Sequence, residues 1–170
     1  MAPIIFVLGG ARSGKSRFAE ERTRAFPAEE YVYIATAECR DQEMESRIAL
    51  HRERRGTDWR TIEAPFRLSE ALVSTSRNGR AILVDCLTLW LTNHLLAEAD
   101  LETEYERLAS SLAKTEGPVV LVSNEVGLSI VPENALARRF RDEAGRLNQK
   151  IAAIASEAWF VAAGLPLRLK

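Results

Sequence analysis

Ile4-Ile5-Phe6-Val7-Leu8-Gly9-Gly10-Ala11-Arg12-Ser13-Gly14-Lys15-Ser16 decides how this chain is read. The apolar half predicts a buried strand, and residues 9–16 fit G-x-x-x-x-G-K-[ST] at every fixed position. Glycines at 9, 10 and 14 let the backbone curl, so that successive N–H groups across Ala11, Arg12 and Ser13 point inward at phosphate oxygens. A helix starting at Lys15 adds its unpaired N–H groups and the positive end of its dipole. In such a loop Lys15 reaches the β- and γ-phosphates, and the Ser16 hydroxyl ligates Mg²⁺. A nucleoside triphosphate is expected here.

Working outward, short apolar runs alternate with helical patterns, the mark of βαβ units around a mainly parallel sheet. Strands are expected at Ile4–Leu8, Tyr31–Ala35, Trp59–Glu63, Ala81–Val84, Val119–Ser123, Trp159–Ala162 and Leu165–Leu169. Helices are expected at Lys15–Arg24, Asp41–Arg55, Arg67–Thr75, Leu87–Ala97, Leu101–Lys114 and Asn134–Ser156. In the last of these, Leu136, Phe140, Leu147, Ile151 and Ile154 recur at helical spacing and predict a core-facing stripe. The fold class is a P-loop NTPase-like three-layer α/β sandwich, formed by a single nucleotide-binding catalytic domain over 1–170.

Composition narrows the partners. The chain is 46% hydrophobic and 28% charged, with a net charge of −1. That balance provides no summed field to draw in nucleic acid or a membrane surface. Cys39 and Cys86 stand alone in separate segments, so neither a disulfide framework nor a zinc site is indicated. No segment approaches the roughly 20 apolar residues that span a bilayer, and Ile4–Leu8 is too short for a signal peptide. The expectation is a cytoplasmic protein.

Two further places carry candidate chemistry. Ile82-Leu83-Val84-Asp85 has the form of a Walker B element, an apolar strand that delivers a carboxylate to the ligand-facing edge of an α/β sheet. Asp85 would hold Mg²⁺ opposite Ser16. The other is His51, in Arg47-Ile48-Ala49-Leu50-His51-Arg52-Glu53-Arg54-Arg55. The flanking arginines disfavour imidazolium, and neutral imidazole is a competent nucleophile. From spacing alone, His51 reads more readily as a packing residue than as a nucleophile, and Arg52, Arg54 and Arg55 read as a solvated face or as a cationic lid over the site of a simple small-molecule kinase. His94 reads as a packing or surface residue. Glu125, in Asn124-Glu125-Val126-Gly127, reads as a substrate or metal contact or as a cap. A GTP-driven switch is disfavoured, since no Asp-x-x-Gly follows strand 81–84 and no Asn-Lys-x-Asp occurs.

Taken in order, several blocks form a set: Gly-Gly-Ala-Arg-Ser-Gly-Lys-Ser at 9–16, Tyr-Ile-Ala-Thr-Ala at 33–37, Arg-Ile-Ala-Leu-His at 47–51 and Trp-Arg-Thr-Ile-Glu at 59–63. Val-Asp-Cys-Leu-Thr at 84–88, Asn-Glu-Val-Gly at 124–127, the stretch 130–142 and Gly-Arg-Leu-Asn-Gln at 145–149 complete it. The set resembles the bifunctional adenosylcobinamide kinase/adenosylcobinamide-phosphate guanylyltransferase family of cobalamin biosynthesis. The resemblance implies phosphorylation of adenosylcobinamide, with ATP or GTP as donor. It further implies transfer of GMP from GTP through a guanylylated histidine, giving adenosylcobinamide-GDP and pyrophosphate. That histidine falls on His51. Nucleotide contacts fall on Gly9, Gly10, Ala11, Arg12, Ser13, Gly14, Lys15 and Ser16, on Ala35, Thr36 and Ala37, on Arg52, Glu53, Arg54 and Arg55, and on Glu63 and Asp85. The family also implies a homotrimer.

Overall fold

The computed structural model of the protein describes residues 2–38 and 58–170. The expected helix 41–55, with His51, Arg52, Glu53, Arg54 and Arg55, lies outside the described residues, as does Cys39. Along the described chain run β1 (Ile4–Gly9), α1 (Lys15–Arg24), β2 (Glu30–Ala35), β3 (Trp59–Glu63), α2 (Leu68–Thr75) and β4 (Arg80–Asp85). They are followed by α3 (Leu87–Leu96), α4 (Leu101–Ala113), β5 (Val119–Asn124), α5 (Ala135–Ile154), β6 (Glu157–Ala162) and β7 (Leu165–Arg168).

The strands form one sheet in the order β3-β2-β4-β5-β1-β6-β7. Every pairing is parallel except β6 with β7, which form an antiparallel hairpin. Parallel strands covered on both faces read as near-continuous apolar runs, and the buried stretches Ile4–Val7, Ala81–Val84 and Val119–Val122 follow that rule. Alternate residues of each strand point to opposite faces. One face carries Phe6, Ile34, Val84 and Leu121 and packs against α2, α3, α4 and α5. The other carries Val7, Tyr33, Leu83 and Val122 and packs against Ala19 of α1. Burying one such aliphatic side chain contributes about 1.5–3 kcal/mol. The central strands therefore draw large stabilisation from both faces of the sheet.

Helix ends follow their capping residues. Asp100 accepts a hydrogen bond from Thr103 N and starts α4, while Asn134 accepts one from Ala137 N and starts α5. The expected apolar stripe of α5 is corrected at its two ends. Leu147 and Ile151 are buried, but Leu136 is 49% exposed and Ile154 38% exposed. Helical spacing predicts a shared face; here the sheet and α4 extend only far enough to cover the middle of it. His94 packs as expected, with Nε2 3.1 Å from the Phe66 carbonyl and its ring edge-on to Trp90.

Candidate active site

All the parallel strands end on the same edge of the sheet. Register pairs Gly9 with Asn124, Ala35 with both Asp85 and Glu63, and Asp85 with Val122. Gly9, Ala35, Glu63, Asp85 and Asn124 are therefore the carboxyl ends of five strands, the edge at which open α/β sheets take their ligands. The described candidates thus share one edge, where Asp85 lies two strands from Gly9 although 76 positions separate them in the chain, while Ala35 and Glu63 lie three and four strands away.

The loop 9–16 owes its shape to glycine and to a hairpin distant in sequence. Gly14 lies at φ +92° and caps α1, a left-handed conformation that a side chain disfavours. A Cβ on Gly14 would also come within 3.1 Å of Gly164 Cα, and one on Gly9 would lie 2.5 Å from the Val161 carbonyl oxygen. Gly164, at φ +77° in the β6–β7 turn, donates its N–H to the Ser13 carbonyl at 2.8 Å. The hairpin therefore buttresses the outer side of the loop. Sequence reasoning missed this role. Its only local signal is the Ala163-Gly164 pair between two short apolar runs.

Inside the loop, Lys15 Nζ donates to the Gly10 carbonyl at 3.0 Å. Burial lowers the Lys15 pKa below its ordinary value, opposed by the negative charge of Asp85. Ser13 is 8% exposed, and its Oγ has no hydrogen-bond partner among the described residues. A buried, unpaired hydroxyl in a phosphate-loop motif is a polar group short of a ligand. Ser16 and Asp85 are a hydroxyl and a carboxylate, hard oxygen donors of the sparse kind with which Mg²⁺ is held beside a nucleotide. No cluster of three or more His, Cys, Asp and Glu occurs among the described residues.

Thr36 has an unexpected place. It is fully buried, and its Oγ1 donates to the Cys86 carbonyl at 2.7 Å and accepts from Cys86 N at 2.8 Å. Its own N–H donates to the Asp85 carbonyl at 3.3 Å. Asn93 Nδ2 then ties the Thr36 carbonyl to that of Pro65, at 2.9 Å to each. The Thr36 hydroxyl thus pins the Cys86 backbone directly after Asp85, across a connecting peptide that is cis. The Cys86 thiol is buried, and burial together with Asp85 pushes it up to about 12, so it stays protonated and inert at neutral pH. A second buried set supports the end of β5: Ser123 Oγ donates to Asn148 Oδ1 at 2.7 Å, and Asn124 N donates to Thr88 Oγ1 at 2.7 Å. Glu125 turns out to cap its own turn, with Oε1 accepting from Gly127 N at 2.5 Å. Glu63 lies exposed at the end of β3.

A phosphate loop, a carboxylate from a neighbouring strand and a parallel sheet fit many nucleotide enzymes, so the comparisons with known proteins decide among them. A family model described as cobinamide kinase / cobinamide phosphate guanyltransferase matches residues 5–169. The chain belongs to this family. A bifunctional adenosylcobalamin biosynthesis protein, CobP, of Pseudomonas aeruginosa is 51% identical, over 96% of this chain and 95% of that protein. Relatives named CobU from Salmonella typhimurium and Escherichia coli are 41% and 39% identical, each over 98% of this chain and 99% of the relative. As a member of a family of transferases the chain is an enzyme of cobalamin biosynthesis, and its fold agrees. An ATPase of a bacterial type III secretion system overlays 98% of it with a TM-score of 0.52 at 12% identity, covering 56% of that chain. A second solved ATPase domain overlays 93% of it with a TM-score of 0.51, also at 12% identity, covering 68% of that chain. Both likenesses concern the P-loop fold alone.

Proposed function

We propose that one domain of this protein carries both reactions of the family on adenosylcobinamide. In the first, the aminopropanol hydroxyl attacks the γ-phosphorus of ATP or GTP; the new O–P bond forms, the bond to the nucleoside diphosphate breaks, and the hydroxyl proton passes to solvent. In the second, an imidazole nitrogen of His51 attacks the α-phosphorus of GTP and pyrophosphate leaves. A phosphate oxygen of adenosylcobinamide phosphate then displaces His51, giving adenosylcobinamide-GDP. The covalent step splits one displacement into two easier ones.

The observation that carries this reading is the family match over 5–169 falling on a complete phosphate loop. In that loop the N–H groups of residues 10–14 and Lys15 would bind the phosphates, with Lys15 charged against them. Ala35, Ala37, Arg52, Glu53, Arg54, Arg55, Glu63 and Asp85 would form the rest of the nucleotide site, with the buried Thr36 supporting it from within. Ser16 and Asp85 would hold Mg²⁺, which when bound offsets charge developing on the phosphoryl oxygens. Phosphoryl transfer through a loose transition state depends chiefly on positioning, so a dedicated general base is dispensable for the kinase step. A homotrimer is proposed from the family resemblance. It is supported by β7, an edge strand with Leu165 and Leu167 exposed at 73% and 61%. No helix among the described residues is long and apolar enough to cross a membrane, and we place the enzyme in the cytoplasm.

GTP labelled at the α-phosphate tests the central step. The expected result is an acid-labile protein adduct that His51→Ala abolishes while nucleotide binding persists. An adduct that forms equally in His51→Ala assigns the nucleophile elsewhere.

A further inference from the structure

Two loops leave the ligand edge of the sheet side by side, and the phosphate loop accounts for only one of them. The other, residues 125–134, begins directly after β5, where Glu125 N donates to the Gly9 carbonyl at 3.0 Å. It then presents Leu128, Ile130 and Val131 to solvent at 82%, 93% and 61% exposure, with Leu136 at 49% on the first turn of α5. Such a run of exposed large apolar side chains stands out, because ordinary surface loops carry polar ones. The far end of the loop is anchored. Arg138 Nη1 donates to the carbonyls of Pro132 and Glu133 at 2.9 and 2.5 Å, and Asn134 caps α5. The apolar residues thus project from a segment tied down at both ends.

We infer that Leu128, Ile130, Val131 and Leu136 form the docking surface for the corrinoid ring of the acceptor substrate. The inference rests on the cobinamide reading of the chain. The acceptor is a broad macrocycle with methylated, apolar faces and amides around its rim, and it must deliver one hydroxyl to the phosphate loop. An extended chain rises at most about 3.6 Å per residue, so Ile130 sits within roughly 18 Å of Glu125 and hence of the phosphate-loop backbone. The N–H groups of Leu128, Ile130 and Val131 have no partner among the described residues, which leaves donors for the rim amides. A second copy of the chain is the weaker occupant, because β7 provides a separate apolar edge with a free strand for self-association.

Steady-state kinetics with cobinamide as the varied substrate, at saturating GTP and Mg²⁺, test the inference. The variant is the double substitution Leu128→Gln/Ile130→Gln, with Leu128→Met/Ile130→Leu as conservative control. The expected result is a KM for cobinamide raised at least tenfold, with kcat, GTP affinity and sedimentation mass unchanged and KM restored in the control. An unchanged KM overturns the inference, and so does loss of the oligomer in the glutamine variant. Equilibrium dialysis of cobinamide with the GDP- and Mg²⁺-loaded protein separates this result from the functional reading. If the wild type binds cobinamide without turning it over, the two-step reaction falls while the docking surface is still judged by the variant. If the wild type binds none, the docking surface falls.

Discussion

The loops 9–16 and 125–134 leave the same edge of the same sheet and share a hydrogen bond, yet they are built on opposite principles. The phosphate loop works through backbone. Its glycines admit left-handed geometry, its Lys15 folds onto Gly10, and a distant hairpin presses on Gly14 and Ser13. The second loop works through side chains, with Leu128, Ile130 and Val131 displayed to solvent. A phosphate is a small, repeated anion that a curled backbone can match. A large organic acceptor has no such simple complement, so recognising it needs surface and shape. The contrast places the universal half of the chemistry in a rigid turn and the particular half in a display.

On that contrast, Lys15→Ala removes the ammonium donor of the rigid turn and has the largest effect. Turnover in both reactions should fall by about 10²–10³-fold, as when one donor to a developing oxyanion is lost. Gly14→Ala should follow. It forces a Cβ to φ +92° and toward Gly164 Cα, costing roughly 1–2 kcal/mol from the left-handed geometry alone. Chemical denaturation should show this loss, together with weakened binding of nucleotide. Survival of full GTP affinity in that variant would mean the buttress is not needed.

Thr36→Val keeps the volume but leaves the Cys86 N–H and carbonyl without their hydroxyl partner. About 1–3 kcal/mol of stability should go, the cost of unpaired buried polar groups. The signature of a positioning role is a higher Mg²⁺ requirement for turnover, which Thr36→Ser should largely rescue. Cys86 makes a subtler prediction in alkali. Its folded pKa is raised to about 12 from 9.0. Between those values the unfolded chain has lost a proton that the native one retains, so stability falls as pH rises, by about 1.4 kcal/mol per unit from this group. Denaturation midpoints measured from pH 8.5 to 10.5 should flatten in Cys86→Ala relative to wild type. The smallest effect belongs to the display: Ile130→Gln should change stability by less than about 0.5 kcal/mol, as exposed substitutions do. A larger loss in denaturant would show that Ile130 packs against the body of the protein.

Much of the architecture was legible in the chain because its signals are local. A buried parallel strand is a short apolar run, a phosphate loop is eight consecutive residues, and a capped helix begins at Asp100 or Asn134. Ile4-Ile5-Phe6-Val7-Leu8 followed by Gly9–Ser16 was enough to expect a nucleotide site on a mainly parallel sheet, and the family resemblance followed from blocks spread along the whole chain. The expectation failed for Leu136, because helical spacing tells which residues share a face and not how far the neighbouring sheet extends over it.

Other properties exist only once distant residues meet. Thr36 touches Cys86 from 50 positions away, and Gly164 reaches Ser13 from the other end of the chain. Neither contact leaves a pattern in neighbouring residues, since a hydroxyl or a turn glycine has the same local preferences whatever it meets. Sequence order alone carried the phosphate chemistry, because consecutive residues set the directions of consecutive N–H groups. Folding in three dimensions added the Thr36 tie to the Cys86 backbone, the hairpin behind the loop and the exposure of Leu128, Ile130 and Val131, because burial and long-range hydrogen bonding belong to the packed molecule.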